Sequence, residues 1–127
     1  MCRGLSVEIG KVGGMSRRRF EHAMHRMRAD EPQVREDAFD FLREHADAYV
    51  DDLIAEFAAE RDDHDLRCRL LELIAEARSP AALDVFREQL EGTDEPLRFW
   101  AVRGLEMLDT RAAEQVLDAA REGGWIS

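Results

Sequence analysis

The segment DHDLR at residues 63–67 decides how this sequence is interpreted, because two further segments of the chain share its pattern. They are EPQVR at residues 31–35 and DEPLR at residues 94–98. Each segment begins with an acid and ends with a branched apolar residue followed by arginine. The apolar residue recurs after 32 and then 31 positions. Recurrence at a period of this length is typical of proteins that are built from stacked helical repeats.

Each of the three segments opens a predicted amphipathic helix. Apolar residues recur from it at steps of four, four and three, which keeps them on one face of an α-helix. The leading acid stands where its carboxylate can accept hydrogen bonds from the free N–H groups of the first turn. The predicted stripes are Val34, Ala38, Leu42 and His45; Leu66, Leu70, Ile74 and Ala77; and Leu97, Ala101, Leu105 and Leu108.

A second helix is predicted after each first one, because apolar residues then recur at steps of three and four. Ser79-Pro80 and Asp109-Thr110 are suitable starts for two of these helices. The basic segment before the first unit has the same spacing, with Ser16 placed before Phe20 as Ser79 is placed before Leu83. The stripes are Val50, Leu53 and Phe57; Leu83, Phe86 and Leu90; Ala113, Val116 and Ala120; and, in the leading half unit, Phe20, Ala23 and Met27.

These patterns predict an all-α protein, a short right-handed α-solenoid of about three and a half antiparallel helix pairs. We expect a single domain over residues 16–127, with a half repeat at 16–29 and pairs at 31–60, 63–91 and 94–122. Residues 123–127 are expected to form a C-terminal cap. Residues 1–15 contain four glycines, and we expect a disordered extension or a start assigned too early, with Met15 as the true first residue.

The arrangement resembles HEAT repeats, most closely the short bacterial type first noted in phycobilin lyases. The matching features are an acid three residues before the apolar-Arg pair and a Ser-Pro-Ala-Ala start at residues 79–82. The resemblance covers residues 16–122 and implies the solenoid fold. It implies no particular function, since repeats of this kind serve many unrelated roles.

Charge divides the chain into a basic head and an acidic body. Residues 1–28 carry seven basic and two acidic side chains, a net of +5, whereas the rest carries 11 arginines and 26 acids, a net of −15. An acidic body argues against nucleic acid as a partner. The chain has two separate cysteines and no apolar run long enough to cross a membrane, which predicts a cytoplasmic protein. The preference for Arg over Lys indicates a bacterial source.

Three arginines occupy equivalent places in the repeats. We expect them to form a structural ladder with acids of the neighbouring unit, because the guanidinium group suits carboxylates, and a row of anion-binding sites is the alternative. The ladder consists of Glu31, Arg35, Asp63, Arg67, Asp94 and Arg98.

No residues are predicted to bind a metal or another cofactor, and none to be catalytic. His22 and His25 stand three apart on the first helix, but no third ligand stands at a matching position on that face. Cys68 has no His or Asp arranged in the sequence to activate it. We therefore expect no enzyme, with a lyase or glycosylase whose residues are scattered over several helices as a remaining alternative.

The predicted function is non-enzymatic binding of a protein with a basic surface, through the concave face of the second-helix row. An immunity protein that neutralises a basic toxin is the alternative of another class. The oligomeric state stays open. Trp125 and Ile126 are expected to cap the last pair, with an exposed aromatic contact for Trp125 or Trp100 as the alternative. The predicted binding residues are His22, His25, Arg26, Asp52, Glu56, Glu88, Gln89, Gln115 and Asp118.

Overall fold

Every residue of the predicted stripes except His45 lies on a helix in the computed structural model, which describes residues 17–126. His45 lies in the turn after Glu44, so the first stripe ends before its predicted last position. Seven α-helices and no strands occur within the range 17–126, so the all-α prediction is confirmed. The expectations for residues 1–15, Ser16 and Ser127 lie outside it. The helices are α1 Arg17–Met27, α2 Pro32–Glu44, α3 Val50–Ala59, α4 His64–Ala77, α5 Leu83–Leu90, α6 Glu95–Leu108 and α7 Arg111–Glu122, with a 3₁₀ turn at Pro80–Ala82 before α5.

The ends of α4 and α6 are built alike. The side chains of Asp63 and Asp94 each accept a bond of 3.1 Å from the N–H group of the third residue after them. Each helix ends at a left-handed residue, Arg78 with φ 51° and Asp109 with φ 53°. Glu31 differs, because it makes no such capping bond and α2 begins with Pro32 instead.

The contacts between helices follow a regular order. The first helices of the predicted units pack side by side, with α2 against α4 and α4 against α6. Among the second helices, α5 contacts α7. Among consecutive helices, α1 packs on α2, α3 on α4, and α5 on α6, and α6 also contacts α7. By contrast, α2 and α3, which were predicted to pair with each other, have no comparably extensive contact. The same is true of α4 and α5. Packing is therefore closest across most of the boundaries between predicted units.

The core is a single apolar cluster that extends from Phe20 in α1 to Ala120 in α7. Within residues 17–126, no polar or charged side chain is buried. Most stripe residues are buried as predicted, whereas Val34, His45, Leu83, Leu108 and Val116 are only half-buried. Burying this apolar surface is the main favourable term in folding, at about 25 cal/mol per Å².

Gly104 brings α6 close to α5. A Cβ atom at this position would lie 2.3 Å from Cζ and 2.5 Å from Cε1 of Phe86, whose ring is 1% exposed. The absent side chain of Gly104 therefore makes the space that the Phe86 ring fills. The sequence pattern gave no sign of this requirement.

We expect Gly104→Ala to lower the free energy of unfolding by about 1–2 kcal/mol, because overpacking a core costs about 1–3 kcal/mol and outweighs the gain in helix propensity. Gly92→Ala is the matched control, since its nearest neighbouring atom would lie 3.5 Å away. Urea unfolding of both variants measures the difference. Equal stability of the two would mean that the Phe86 ring can move aside at no cost.

Candidate interaction surface

Two predicted binding residues already have basic partners within the chain. Arg17 of α1 forms an ion pair with Asp52 of α3. Arg28, just after α1, places Nη2 3.5 Å from Oε1 of Glu56 and 3.0 Å from Oε1 of Glu60. The basic head thus neutralises part of the acidic surface of α3. Sequence spacing could not show this, because 35 and 32 residues separate Arg17 from Asp52 and Arg28 from Glu60.

Most of the other basic side chains of α1 lie around a groove between α1 and α2. His22 and His25 are exposed, and Arg26 is half-buried. Arg26 and His22 line a groove of about 410 Å³ between α1 and α2, which Phe41 also lines. The structure therefore brings His22 and Arg26 together at this groove, but it gives neither of them an ion pair with the predicted acids of α3.

The remaining predicted residues lie on α5 and α7. Glu88, Gln115 and Asp118 are exposed, and Gln89 is half-buried. Gln115 and Asp118 share a hollow of about 440 Å³ with Asp109, Thr110, Arg111 and Glu114.

The second-row surface stays acidic even where α1 contributes its arginines. Taken with their C-terminal caps, α3, α5 and α7 carry ten acids and three arginines, which leaves an excess of seven negative charges. Arg17 and Arg28 can offset two of these charges. An excess of negative charge on a protein surface attracts cationic groups.

Arg35 and Arg67 bond to main-chain carbonyl groups, and not to carboxylates of a neighbouring unit as the repeat pattern predicted. Nη1 of Arg35 donates to the carbonyl oxygens of Ala29 and Asp30, at 2.8 and 2.9 Å. Nη1 of Arg67 donates to Phe57 O at 2.8 Å and to Glu60 O. The carbonyl groups at the end of a helix have no partner within it and carry partial negative charge, which suits a guanidinium group.

Arg67 also contacts an aromatic ring. Its guanidinium carbon lies 4.0 Å from the centre of the Phe57 ring, a cation–π contact. Burial lowers the pKa of Arg67, and the positive charge of Arg61 acts in the same direction. Arg98 departs from the other two, because Nη2 donates to the carbonyl oxygen of Trp125. Arg35 and Arg67 therefore close the α1/α2 and α3/α4 junctions, and Arg98 fastens the C-terminal segment.

His64, Cys68 and Asp94 lie close together. Nε2 of His64 is 2.7 Å from Oδ2 of Asp94, and Sγ of Cys68 is 3.8 Å from the same nitrogen. Burial raises the pKa of the Cys68 thiol, and the negative charges of Asp94 and Asp65 raise it further. These surroundings favour the neutral thiol over the nucleophilic thiolate. From residue 17 to residue 126, no three His, Cys, Asp or Glu side chains are placed to hold a metal ion.

A groove of mixed charge lies between α2 and α4, with a volume of about 770 Å³. An ion pair spans this groove, because Glu36 Oε2 on α2 lies 3.1 Å from Nη2 of Arg69 on α4. Its guanidinium carbon also lies 5.3 Å from the centre of the Phe39 ring. Burial raises the pKa of Glu72 on the same wall. Because both signs of charge line this groove and partly pair with each other, it favours no single class of ligand.

Trp125 is held at the end of α7 by a Schellman motif. Its N–H group donates to Ala120 O at 2.9 Å, and that of Gly124 donates to Arg121 O at 3.1 Å. Gly124 has φ +81°, a conformation that other residues adopt only with strain. Ile126 packs against the core, whereas the Trp125 side chain remains 43% exposed. The chain end is therefore bonded to both α6 and α7, and the Trp125 ring still offers an aromatic contact.

The Trp125 ring stands at one side of an apolar groove between α5 and α7, with a volume of about 430 Å³. Leu83 and Leu90 of α5 form one wall, while α7 contributes Val116 and small alanines. Arg87, Glu91 and Gln115 complete the lining. The groove remains open because most of the α7 side chains that line it are alanines, which do not fill the space beside α5. The alanine-rich stripe of the last helix was its only signal in the sequence.

Comparison with known proteins gives no assignment: no family model, no curated protein and no solved structure matches the chain. None of the helices between Arg17 and Glu122 is long and apolar enough to span a membrane.

We expect Arg67→Ala to lower the free energy of unfolding by about 2–3 kcal/mol, because it removes charge-assisted bonds to two carbonyl groups. The free energy of unfolding of Arg67→Lys should lie between those of Arg67→Ala and the wild type, since an ammonium group lacks the planar fork of donors. Arg103→Ala is the control. Its ion pair with Glu106 is 3.6 Å long and solvent-exposed, so its loss should cost less than about 1 kcal/mol. Urea unfolding decides, and equal losses for Arg67→Ala and Arg103→Ala would contradict the role given to Arg67.

Glu60 should make stability depend on pH. The N–H group of Asp63 donates to its Oε2 at 2.9 Å and that of Asp62 at 3.1 Å, and together with Arg28 and Arg67 they lower the pKa of Glu60. The stability that the Glu60 carboxylate contributes is fully present when the pH is above the carboxyl pKa of the unfolded chain. It is lost as the pH falls through the lower pKa of Glu60 in the folded state.

Glu60→Gln should therefore lower the melting temperature at pH 7, and the difference from the wild type should shrink steadily as the pH falls below 4. Glu44→Gln serves as the reference for loss of an exposed carboxylate. Thermal unfolding at several pH values tests the expectation, and a Glu60→Gln difference that is constant with pH would be evidence against it.

Proposed function

We propose that this chain is a right-handed α-solenoid of HEAT-like helix pairs that binds a protein with a basic surface, without catalysing a reaction. The binding face is that of the second-row helices, α1, α3, α5 and α7. The observation that carries the proposal is the excess of seven negative charges on α3, α5 and α7. Such a surface attracts cationic partners and raises the rate at which they associate.

The recurrence of local structure supports the solenoid part of the proposal. The capping acids Asp63 and Asp94, the left-handed residues Arg78 and Asp109, and the helix starts Ser79 and Thr110 are each 31 positions apart. The ordered contacts from α2 to α4 to α6 agree with stacked units.

The ion pairs of α1 determine which acids to test. Reversing Asp52 and Glu56 would place two positive charges against Arg17 and Arg28, so it would disturb α1 as well as any partner. Glu88 and Asp118 are exposed on α5 and α7 and avoid this problem. Asp118 makes only a local contact of 3.3 Å with Arg121.

The test is affinity capture from the native cell, with quantitative mass spectrometry. The double variant Glu88→Lys with Asp118→Lys should lose tenfold or more of the specifically captured protein. The control is Glu44→Lys with Glu106→Lys, which makes the same charge change on the first-row helices α2 and α6. Like Asp118, Glu106 forms a local ion pair, in its case with Arg103, so each double variant breaks one such pair. Capture should persist in this control.

Equal capture by both double variants would refute the assignment of this face. If the captured protein is a nuclease-type toxin whose activity the chain suppresses, the immunity function predicted as the alternative applies to the same face.

A further inference from the structure

We propose that the apolar groove between α5 and α7 binds an amphipathic α-helix of the partner, with apolar side chains against Trp125 and Val116 and a basic side chain in the neighbouring acidic hollow. This inference rests on the proposed function and names the chemistry of the segment that is bound. It adds a site that consists largely of residues outside the predicted face.

The shape and lining of the groove suit a helix. A hydrophobic groove is the usual seat for the apolar stripe of an amphipathic helix. In the α5 wall of this groove Leu83 is half-buried and Leu90 is buried, and Val116 of α7 is half-buried. The exposed Ala112 and Ala119 leave room above α7. The volume of about 430 Å³ is in the range of pockets that take several side-chain-sized groups.

Trp125 has the properties of an anchor. Its main chain is held by the bonds to Ala120 and Arg98, so the position of the backbone that carries the ring is set before any partner arrives. At 43% exposure it still has a large apolar surface to bury. Tryptophan at the centre of an interface is often among the residues that contribute most to affinity. Fixing its backbone beforehand reduces the entropy lost on binding.

The charges around the groove favour a positively charged occupant. Gln115 lines both the groove and the hollow that contains Asp109, Glu114 and Asp118, so the two depressions are neighbours. Arg111 is the basic residue of the hollow, against three acids. On the α5 side, Glu91 lies on the rim, and Nη1 of Arg87 is 3.0 Å from Oδ1 of Asp84. A helix with Lys or Arg beside its apolar stripe complements this pattern, and one with acids does not.

The test uses two synthetic helical peptides of equal length. One has leucine at positions spaced three and four apart with lysine elsewhere, and the other has glutamate in place of lysine. Binding to the full chain is measured by titration calorimetry, and the site is located by NMR chemical shifts. A chain of net charge −10 attracts any cationic peptide. Stronger binding of the lysine peptide than of the glutamate peptide is therefore not enough to locate the site, and the proposal is tested with variants of the protein.

We expect Trp125→Ala and Ala119→Lys each to weaken binding of the lysine peptide at least tenfold. Both positions are exposed and outside the core, so the fold is retained. The matched controls are Phe99→Ala, which removes an aromatic ring that is 56% exposed on α6, and Ala58→Lys, which adds the same charge on α3. Each control should change the affinity less than twofold.

Equal weakening by Ala119→Lys and Ala58→Lys, or shifts spread evenly over the acidic surface, would overturn the proposal in favour of nonspecific attraction. Dimers that form with rising concentration and disappear in Trp125→Ala would instead make a second copy the occupant and would also overturn it. Partner capture that depends on Glu88 and Asp118 but not on Trp125 or Ala119 would leave the proposed function intact and reject only this groove.

Discussion

The fold depends on the need to surround α4 with apolar surface. Seven of its side chains are buried, including Leu70, Leu71, Leu73 and Ile74, which are 0% exposed. These residues cover more than one face of the helix, so one neighbour cannot shield them from water. Contacts with α2, α3 and α6 supply the shielding. The helices around α4 are positioned by this requirement, and the remaining helices extend the same core in both directions.

The junctions between helices show how the chain holds that packing without long connections. Arg35 and Arg67 each reach back to carbonyl groups near the end of the preceding helix, and at the α5/α6 junction the Phe86 ring fills the space over Gly104. A hydrogen-bonding device and a steric one thus serve the same purpose. In each case a helix is attached to the helix that follows it, which agrees with the contacts of α1 with α2, α3 with α4, and α5 with α6.

The sequence predicted those features that depend on neighbours a few residues away. The capping of α4 by Asp63 follows from spacing alone, as does burial of Leu66, Leu70 and Ile74 on one helical face. The partners of Arg67 could not be predicted in this way, because carboxylates and carbonyl groups lie at similar sequence distances and only the packed structure decides between them.

Interactions over longer distances were missed for the same reason. The pairing of Arg17 with Asp52 needs α1 to lie beside α3. The groove beside Trp125 needs the small side chains of α7, the left-handed Gly124 and the position of α5 together. Each ingredient is visible in the sequence, but their juxtaposition arises only from tertiary structure. The predicted surface of nine residues therefore included Gln115 and omitted Trp125.

The uneven distribution of charge has a consequence for how this protein meets other molecules. α1 carries four arginines and one acid, whereas none of the helices α2 to α7 has a net positive charge. The positive charge of the described helices is therefore concentrated in α1, at one end of the succession of helix contacts. Near a cationic surface, the molecule would turn its acidic helices and not α1 toward that surface before touching it. Dissolved salt shortens the distance over which this orientation acts, to about 8 Å at physiological ionic strength.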